Sequence, residues 1–215
     1  MGWNMHEYYA TRAPYYDAVY SKPERRADIE FLCEYLPQKF GGKEILEVAC
    51  GTGYWTQHIA PVAARMVAID GTAEPLALAR ARTVTDNVIF AQADAYALPK
   101  QFGFFNAAFA GLWFSHVPIE ARARFLEGLH GALLPEALVI FVDNNAVQLA
   151  EFPIARTDAA GNTYQLRQLR DGSTHRILKN FPSFEELKDL LEPIAKNVVY
   201  RDLENFWLLE YEVCK

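Results

Sequence analysis

The sequence predicts a doubly wound α/β fold: a seven-stranded, mostly parallel sheet that ends in an antiparallel β-hairpin and follows an N-terminal helical cap. Three observations predict it. Short apolar runs alternate with longer amphipathic stretches through the middle of the chain, the rhythm of βαβ units. The first run passes straight into a Gly-x-Gly turn, Gly51-Thr52-Gly53. The last two runs are separated only by Glu204-Asn205, a link that permits antiparallel pairing alone.

The elements follow in order. Residues 1–37 form the cap, which concentrates Trp3, Tyr8, Tyr9, Tyr15, Tyr16 and Tyr20. Within it Pro14 starts a second short helix, since its ring clashes with a preceding turn, and an amphipathic helix covers 24–36. A core of 38–150 carries strands at 44–50, 65–70, 88–94, 104–111 and 137–143. They are short and apolar, as strands buried on both sheet faces are. Helical patterns at 54–64, 73–82 and 119–133 separate them. In 151–215 the rhythm changes. Strands 164–169 and 174–178 flank the turn Arg170-Asp171-Gly172-Ser173, Ser183 caps a helix over 184–194, and strands 198–203 and 206–213 close the chain.

Composition limits the function. The 215 residues carry 21 Lys plus Arg against 27 Asp plus Glu, a net charge of −6, and 51% are apolar. One domain is expected, with core enough to stand without disulfides or metals. The acidic balance speaks against a nucleic-acid partner, which needs a basic stripe. The longest apolar run, 137–142, is too short to span a bilayer. No leader opens the chain, and Cys33, Cys50 and Cys214 show no zinc or disulfide spacing. A cytoplasmic protein without metal, membrane or nucleic acid is the expectation, as a monomer or homodimer.

The glycine turn is the informative motif. Glycines there let the backbone turn sharply and let a ligand approach closely. A dinucleotide fingerprint would place a third glycine at 56, where Thr56 stands after Tyr54 and Trp55; no GK[ST] follows for a P-loop. The second strand ends in Asp70, an acid suited to ribose hydroxyls. The third ends in Ala93-Asp94-Ala95, where a carboxylate can receive an adenine amine. An acid for the ribose, an acid for the base and no waiting cation describe an adenosine without phosphates.

With EVACGTG at 47–53, AID at 68–70, QADA at 92–95 and FFNAAFAGLWFSHVP at 104–118, the sequence resembles the class I S-adenosylmethionine-dependent methyltransferases over nearly its whole length. Ala49 stands where the family often has glycine. The resemblance implies that Glu47, Ala49, Gly51 and Gly53 face the methionine part of S-adenosyl-L-methionine. It implies that Asp70 binds the ribose, that Gly71 lies beside the adenine, and that Asp94 and Ala95 read its edge. Gly111 would offer a carbonyl to the ammonium, and Arg12 and Tyr16 of the cap would reach the carboxylate.

Methyl transfer is an in-line displacement for which the protein supplies position and a dry pocket; a base is needed only if the acceptor must lose a proton. His116, which can titrate near neutrality, and Asp143 are the candidate catalytic residues. Tyr8, Tyr9, Tyr15 and Tyr16 of the cap, with Tyr164, Arg167 and Arg170 of the hairpin, are expected to roof the substrate pocket. Arg167 and Arg170, three apart on a strand, cannot both point inward. An inward arginine suggests a carboxylate or phosphate on the substrate. A small-molecule acceptor is the expected partner, for no Asn-Pro-Pro-Tyr-type motif follows the fourth strand. Two other readings use the same cofactor site: a non-methylating intramolecular displacement, and a non-catalytic cofactor-binding subunit.

Overall fold

The alternating runs build a twisted sheet whose strand order reverses at its centre. The computed structural model describes residues 5–83, 85–98 and 100–214; Trp3, counted above with the cap, lies outside them. Among the described residues the strands are β1 Glu44–Val48, β2 Arg65–Asp70, β3 Val88–Gln92, β4 Phe105–Gly111, β5 Leu133–Asn144, β6 Ile154–Thr157, β7 Thr163–Gln168, β8 Thr174–Leu178, β9 Ala195–Asp202 and β10 Phe206–Val213. Seven of them form one sheet in the order β3-β2-β1-β4-β5-β10-β9. The first five are parallel, and β10 pairs antiparallel with both β5 and β9. The order turns back between β1 and β4, and at such a point the strand ends open a crevice that binds ligands.

The helices are α1 Met5–Arg12, α2 Arg26–Phe40, α3 Thr56–Ile59, α4 Ala73–Arg82, α5 Arg122–Gly131 and α6 Phe184–Leu191. Alternation along each strand feeds two cores. On one face Leu46, Val48 and Phe141 pack with Phe125 and Leu129 of α5 and Leu187 of α6. On the other Ile45, Ile140 and Val142 pack with Leu32, Leu36 and Phe40 of α2 and Ile59 of α3. Asp28 of α2 accepts the backbone N–H of Asn205 at 2.7 Å, which ties that helix to the β9–β10 turn. Ser183 caps α6 through a reciprocal pair with Glu186.

Several elements depart from the sequence reading. The helix expected over 54–64 shrinks to α3, which ends just before Pro61, a residue with no N–H to carry the helical hydrogen bonds on. The helix over 119–133 divides into a 3-10 turn, Ile119–Ala121, and α5. Strand β3 is an edge strand, half-buried rather than covered on both faces. The hairpin at 164–178 gains a third strand, β6, making a separate antiparallel sheet in the order β6-β7-β8. The cap turns at Pro14 as expected, continuing as the 3-10 segment Ala13–Val19.

Candidate active site

The turn after β1 is built from left-handed backbone. Ala49, Gly51 and Gly53 have φ of 55°, 56° and 73°, and at Ala49 the side chain makes that conformation costly, by roughly 1–2 kcal/mol. A Cβ on Gly53 would lie 2.9 Å from the Cβ of Ala79, so glycine lets α4 press against the turn. Asp70, at the end of β2, fastens the arrangement. One carboxylate oxygen accepts the N–H of Gly51 at 2.9 Å and the other that of Thr72 at 2.9 Å. Burial pushes its pKa up, against the pull of those two donors. Glu47 is buried behind the turn, accepts from Thr56 Oγ1 at 2.5 Å, and is pushed by burial to about 8.

Above the turn lies a cavity of about 750 Å³. Its wall includes Ala49, Gly51, Asp70, Gly71, Asp94, Ala95, Gly111 and His116, joined by Tyr16 of the cap. Glu47 and Gly53 sit behind this wall, and Arg12 and Asp143 are not on it. Sequence reasoning did not find His6 or Trp55, which also line it, as does Trp113 of the segment after β4. A Cβ on Gly71 would stand 2.7 Å from His6 Cε1, and one on Gly111 2.7 Å from Trp55 Cδ1; both glycines admit an aromatic side chain to the wall.

The wall suits S-adenosyl-L-methionine. Asp70 and Asp94 stand at the ends of neighbouring strands β2 and β3, and no lysine or arginine lines the cavity among the described residues. A pyrophosphate would lack a counter-charge there, whereas an uncharged adenosine needs none. Aromatic faces of Tyr9, Tyr16 and Trp113 give a sulfonium the surroundings it favours. Among the described residues no group of three or more His, Cys, Asp or Glu is placed to hold a metal ion, and no helix is long and apolar enough to cross a membrane.

A second cavity, of about 70 Å³, adjoins the first; Tyr9, Tyr16, Leu112 and His116 belong to both walls. Its character is opposite. Arg12, Lys22, Arg25, Arg167 and Lys179 line it, with Glu151 as the one acid, and Glu151 is paired with Lys22. Arg12 donates to Tyr8 at 2.8 Å and lies 5.0 Å from the Tyr16 ring centroid. Arg167 donates to Gln165 Oε1 at 2.7 Å and stacks 3.3 Å over the Phe152 ring. Burial pulls the pKa of Arg25, Arg167 and Lys179 down. Arg25 Nε and Asn144 Nδ2 are buried N–H groups without a hydrogen-bond partner.

Lys179 explains Asp143. The ammonium is buried and donates to Ser115 Oγ at 2.7 Å, Asp143 Oδ1 at 2.8 Å and Asn144 Oδ1 at 3.0 Å. Asp143 also accepts the N–H of Ser115 and of Asn144, each at 2.8 Å. The carboxylate is fully buried and its pKa is lowered, the ammonium and donors outweighing burial. Asp143 therefore reaches neither cavity; it holds Lys179 in place. His116 lies on the shared wall, with its pKa lowered to about 3 by burial and by the charge of Lys179.

A methyltransferase-domain model matches residues 45–136. The whole chain is similar to DhpI. In the DhpI–SAH complex the identity is 30%, 97% of this chain and 94% of that chain are covered, and the TM-score is 0.80. For the DhpI–SAM–HEP complex the values are 30%, 95%, 94% and 0.74. The fold is shared with the N-methyltransferase NodS from Bradyrhizobium japonicum WM9 in complex with S-adenosyl-l-homocysteine, at 14% identity, 99% and 100% coverage and a TM-score of 0.70. No curated protein matches the chain.

Proposed function

The chain belongs to the S-adenosylmethionine-dependent methyltransferases, and from that premise we propose that it methylates a small molecule carrying a carboxylate or phosphate-type group. When bound, the cofactor supplies an electrophilic methyl on a sulfonium. Asp70 and Asp94 hold the ribose and adenine, the turn around Gly51 and the carbonyl of Gly111 hold the methionine end, and Tyr16 closes over it. Arg12 faces the second cavity, which supports a role toward the acceptor rather than toward the cofactor's carboxylate.

The observation that carries the acceptor class is that cation-lined second cavity. Of its five cations Lys22 is paired with Glu151 and Lys179 with Asp143, which leaves Arg12, Arg25 and Arg167 without an acidic partner among the described residues, and buried charge without a partner is costly. An anionic group would satisfy the free N–H groups of Arg25 and Asn144 and offset the positive field. The volume suits a group the size of a few waters, with the rest of a small molecule toward Leu112 and the larger cavity.

His116 is held neutral and is a poor base at pKa about 3. The acceptor must then arrive ready to attack, as an ionised oxygen does without losing a proton. Tyr9, Tyr16, Leu112 and His116 form the boundary between the cavities. The three cysteines are free thiols, which supports a reducing cytoplasm.

The test is a panel of small carboxylic acids, phosphate esters, phenols and amines incubated with S-adenosylmethionine, with mass-spectrometric detection of methylated product. Methyl esters of the acidic compounds are expected. Turnover confined to neutral amines or phenols would overturn the acceptor class while leaving the cofactor reading intact.

A further inference from the structure

Arg82 closes a ring of contacts that joins the cap, the glycine turn and α4. As the last residue of α4, it donates through one guanidinium nitrogen to the Thr52 carbonyl at 2.9 Å and to Thr52 Oγ1 at 3.2 Å. Its other terminal nitrogen pairs with Asp17, which lies in the 3-10 segment of the cap. Thr52 Oγ1 completes the ring by donating to Asp17 Oδ1 at 2.5 Å. Thr52 is buried, and the Arg82 and Asp17 side chains are a quarter to a third exposed.

The position of this ring gives it a task. Thr52 sits between Gly51 and Gly53, inside a turn with three left-handed residues in five positions, a conformation that persists only where surrounding contacts over-determine it. Asp17 follows Tyr16, which lines both cavities. The floor and the roof of the large cavity are thus bonded to the same guanidinium. α1 also meets the floor directly, where His6 Nδ1 lies 3.4 Å from Thr72 Oγ1, but that contact joins single atoms, whereas Arg82 bonds at once to Thr52 in the turn and to Asp17 in the cap.

We propose that Arg82 is a positioning residue for cofactor binding: it couples the cap to the glycine turn, so that the two walls of the cofactor slot hold one geometry and part together. The proposal rests on reading the large cavity as the cofactor site. An arginine suits the task, since its planar fork meets the Asp17 carboxylate and the Thr52 oxygens through separate nitrogens in a fixed geometry, where a lysine would bring a single flexible point of charge. The exposed edge makes the coupling sensitive to salt.

The test uses the full chain with S-adenosyl-l-homocysteine as probe, in Arg82→Gln, Arg82→Lys, Asp17→Asn and the double variant Arg82→Gln/Asp17→Asn. Amide hydrogen exchange of the ligand-free proteins is expected to rise in Arg82→Gln both in the cap (5–20) and in the turn (49–53), with β4 and β5 unchanged. Affinity is expected to fall about tenfold, to be partly restored by Arg82→Lys, and to fall little further in the double variant, since the two groups share one network. Faster exchange confined to α4, or unchanged affinity in a folded Arg82→Gln protein, would overturn the proposal. A wild-type chain that binds no probe would instead overturn the cofactor reading, and exchange would still report whether cap and turn are tied.

Discussion

The hydroxyl of Tyr9 lies 2.9 Å from Nε2 of His116, and their proton positions follow from a third group. His116 Nδ1 is 2.6 Å from the carbonyl oxygen of Leu178, which can only accept. Nδ1 therefore carries the ring proton, Nε2 accepts, and Tyr9 donates. A residue of the cap and a residue after β4 thereby fix each other at the boundary between an adenosine-sized cavity and a cationic one.

This pairing sets a pH dependence. An unfolded histidine titrates near 6.5, whereas folded His116 takes its proton only at about 3. As pH falls below 6.5 the unfolded chain gains a proton that the folded chain refuses, so stability declines through that window. At pH 5 the loss is on the order of 2 kcal/mol. Melting temperatures of the wild type and His116→Gln at pH 7.5 and 5 test this. The wild type should lose more on acidification than the variant, and equal losses would mean that His116 is not held neutral.

Arg167 carries a prediction about the acceptor. Arg167→Ala should raise KM for an anionic acceptor ten- to hundredfold, the worth of one or two hydrogen bonds to a charged group. S-adenosyl-l-homocysteine affinity should be unchanged, since Arg167 lies on the wall of the second cavity only. Steady-state kinetics beside calorimetry separate the two effects. Parallel loss of both would place Arg167 in the frame of the whole site instead.

The two glycines of the turn should respond unequally to alanine. At Gly51 φ is 56° and a Cβ meets nothing within 4 Å, so Gly51→Ala should cost only the left-handed conformation, about 1–2 kcal/mol. At Gly53 φ is 73° and the Cβ would press on Ala79, adding an overpacking cost of about 1–3 kcal/mol. Denaturant melts rank the two; a Gly51 variant as destabilised as the Gly53 variant would contradict this geometry.

The succession of strands along the chain, the glycine turn and the acids at 70 and 94 were legible because each is local: a run of one residue type, a turn, and an acid at a strand end. Of the second cavity's cations only Arg167, read as part of the roof of a substrate pocket, was. Those cations come from the cap, from β7 and from the residue after β8, and nothing in Lys179-Asn180 distinguishes a buried ammonium from a solvated one. Its partner Asp143 is brought to it by β5, so that pairing exists only in the folded sheet. Strand β6 escaped for another reason: all four of its residues are exposed, and without a buried face there is no alternation to read.

Glu47 allows the sharpest test of the site's electrostatics. An unfolded glutamate ionises near 4.3, whereas Glu47 in the fold is pushed by burial to about 8, even with the Thr56 hydroxyl donating to it. Between those values the unfolded chain releases a proton that the folded chain keeps. The stability that Glu47 contributes is therefore complete below pH 4 and is lost as pH rises toward 8. Glu47→Gln has no proton to release and keeps an oxygen for Thr56. The variant should gain on the wild type by on the order of 3–4 kcal/mol between pH 5 and pH 8, read from their denaturant melts. A difference that stays constant between pH 5 and pH 8 would mean that Glu47 is ionised in the fold. Repeating the measurement with saturating S-adenosyl-l-homocysteine asks what Glu47 faces. If it serves the cofactor's ammonium, the bound ligand should return its pKa toward the ordinary range, and the wild type should then recover the stability it had lost to the variant.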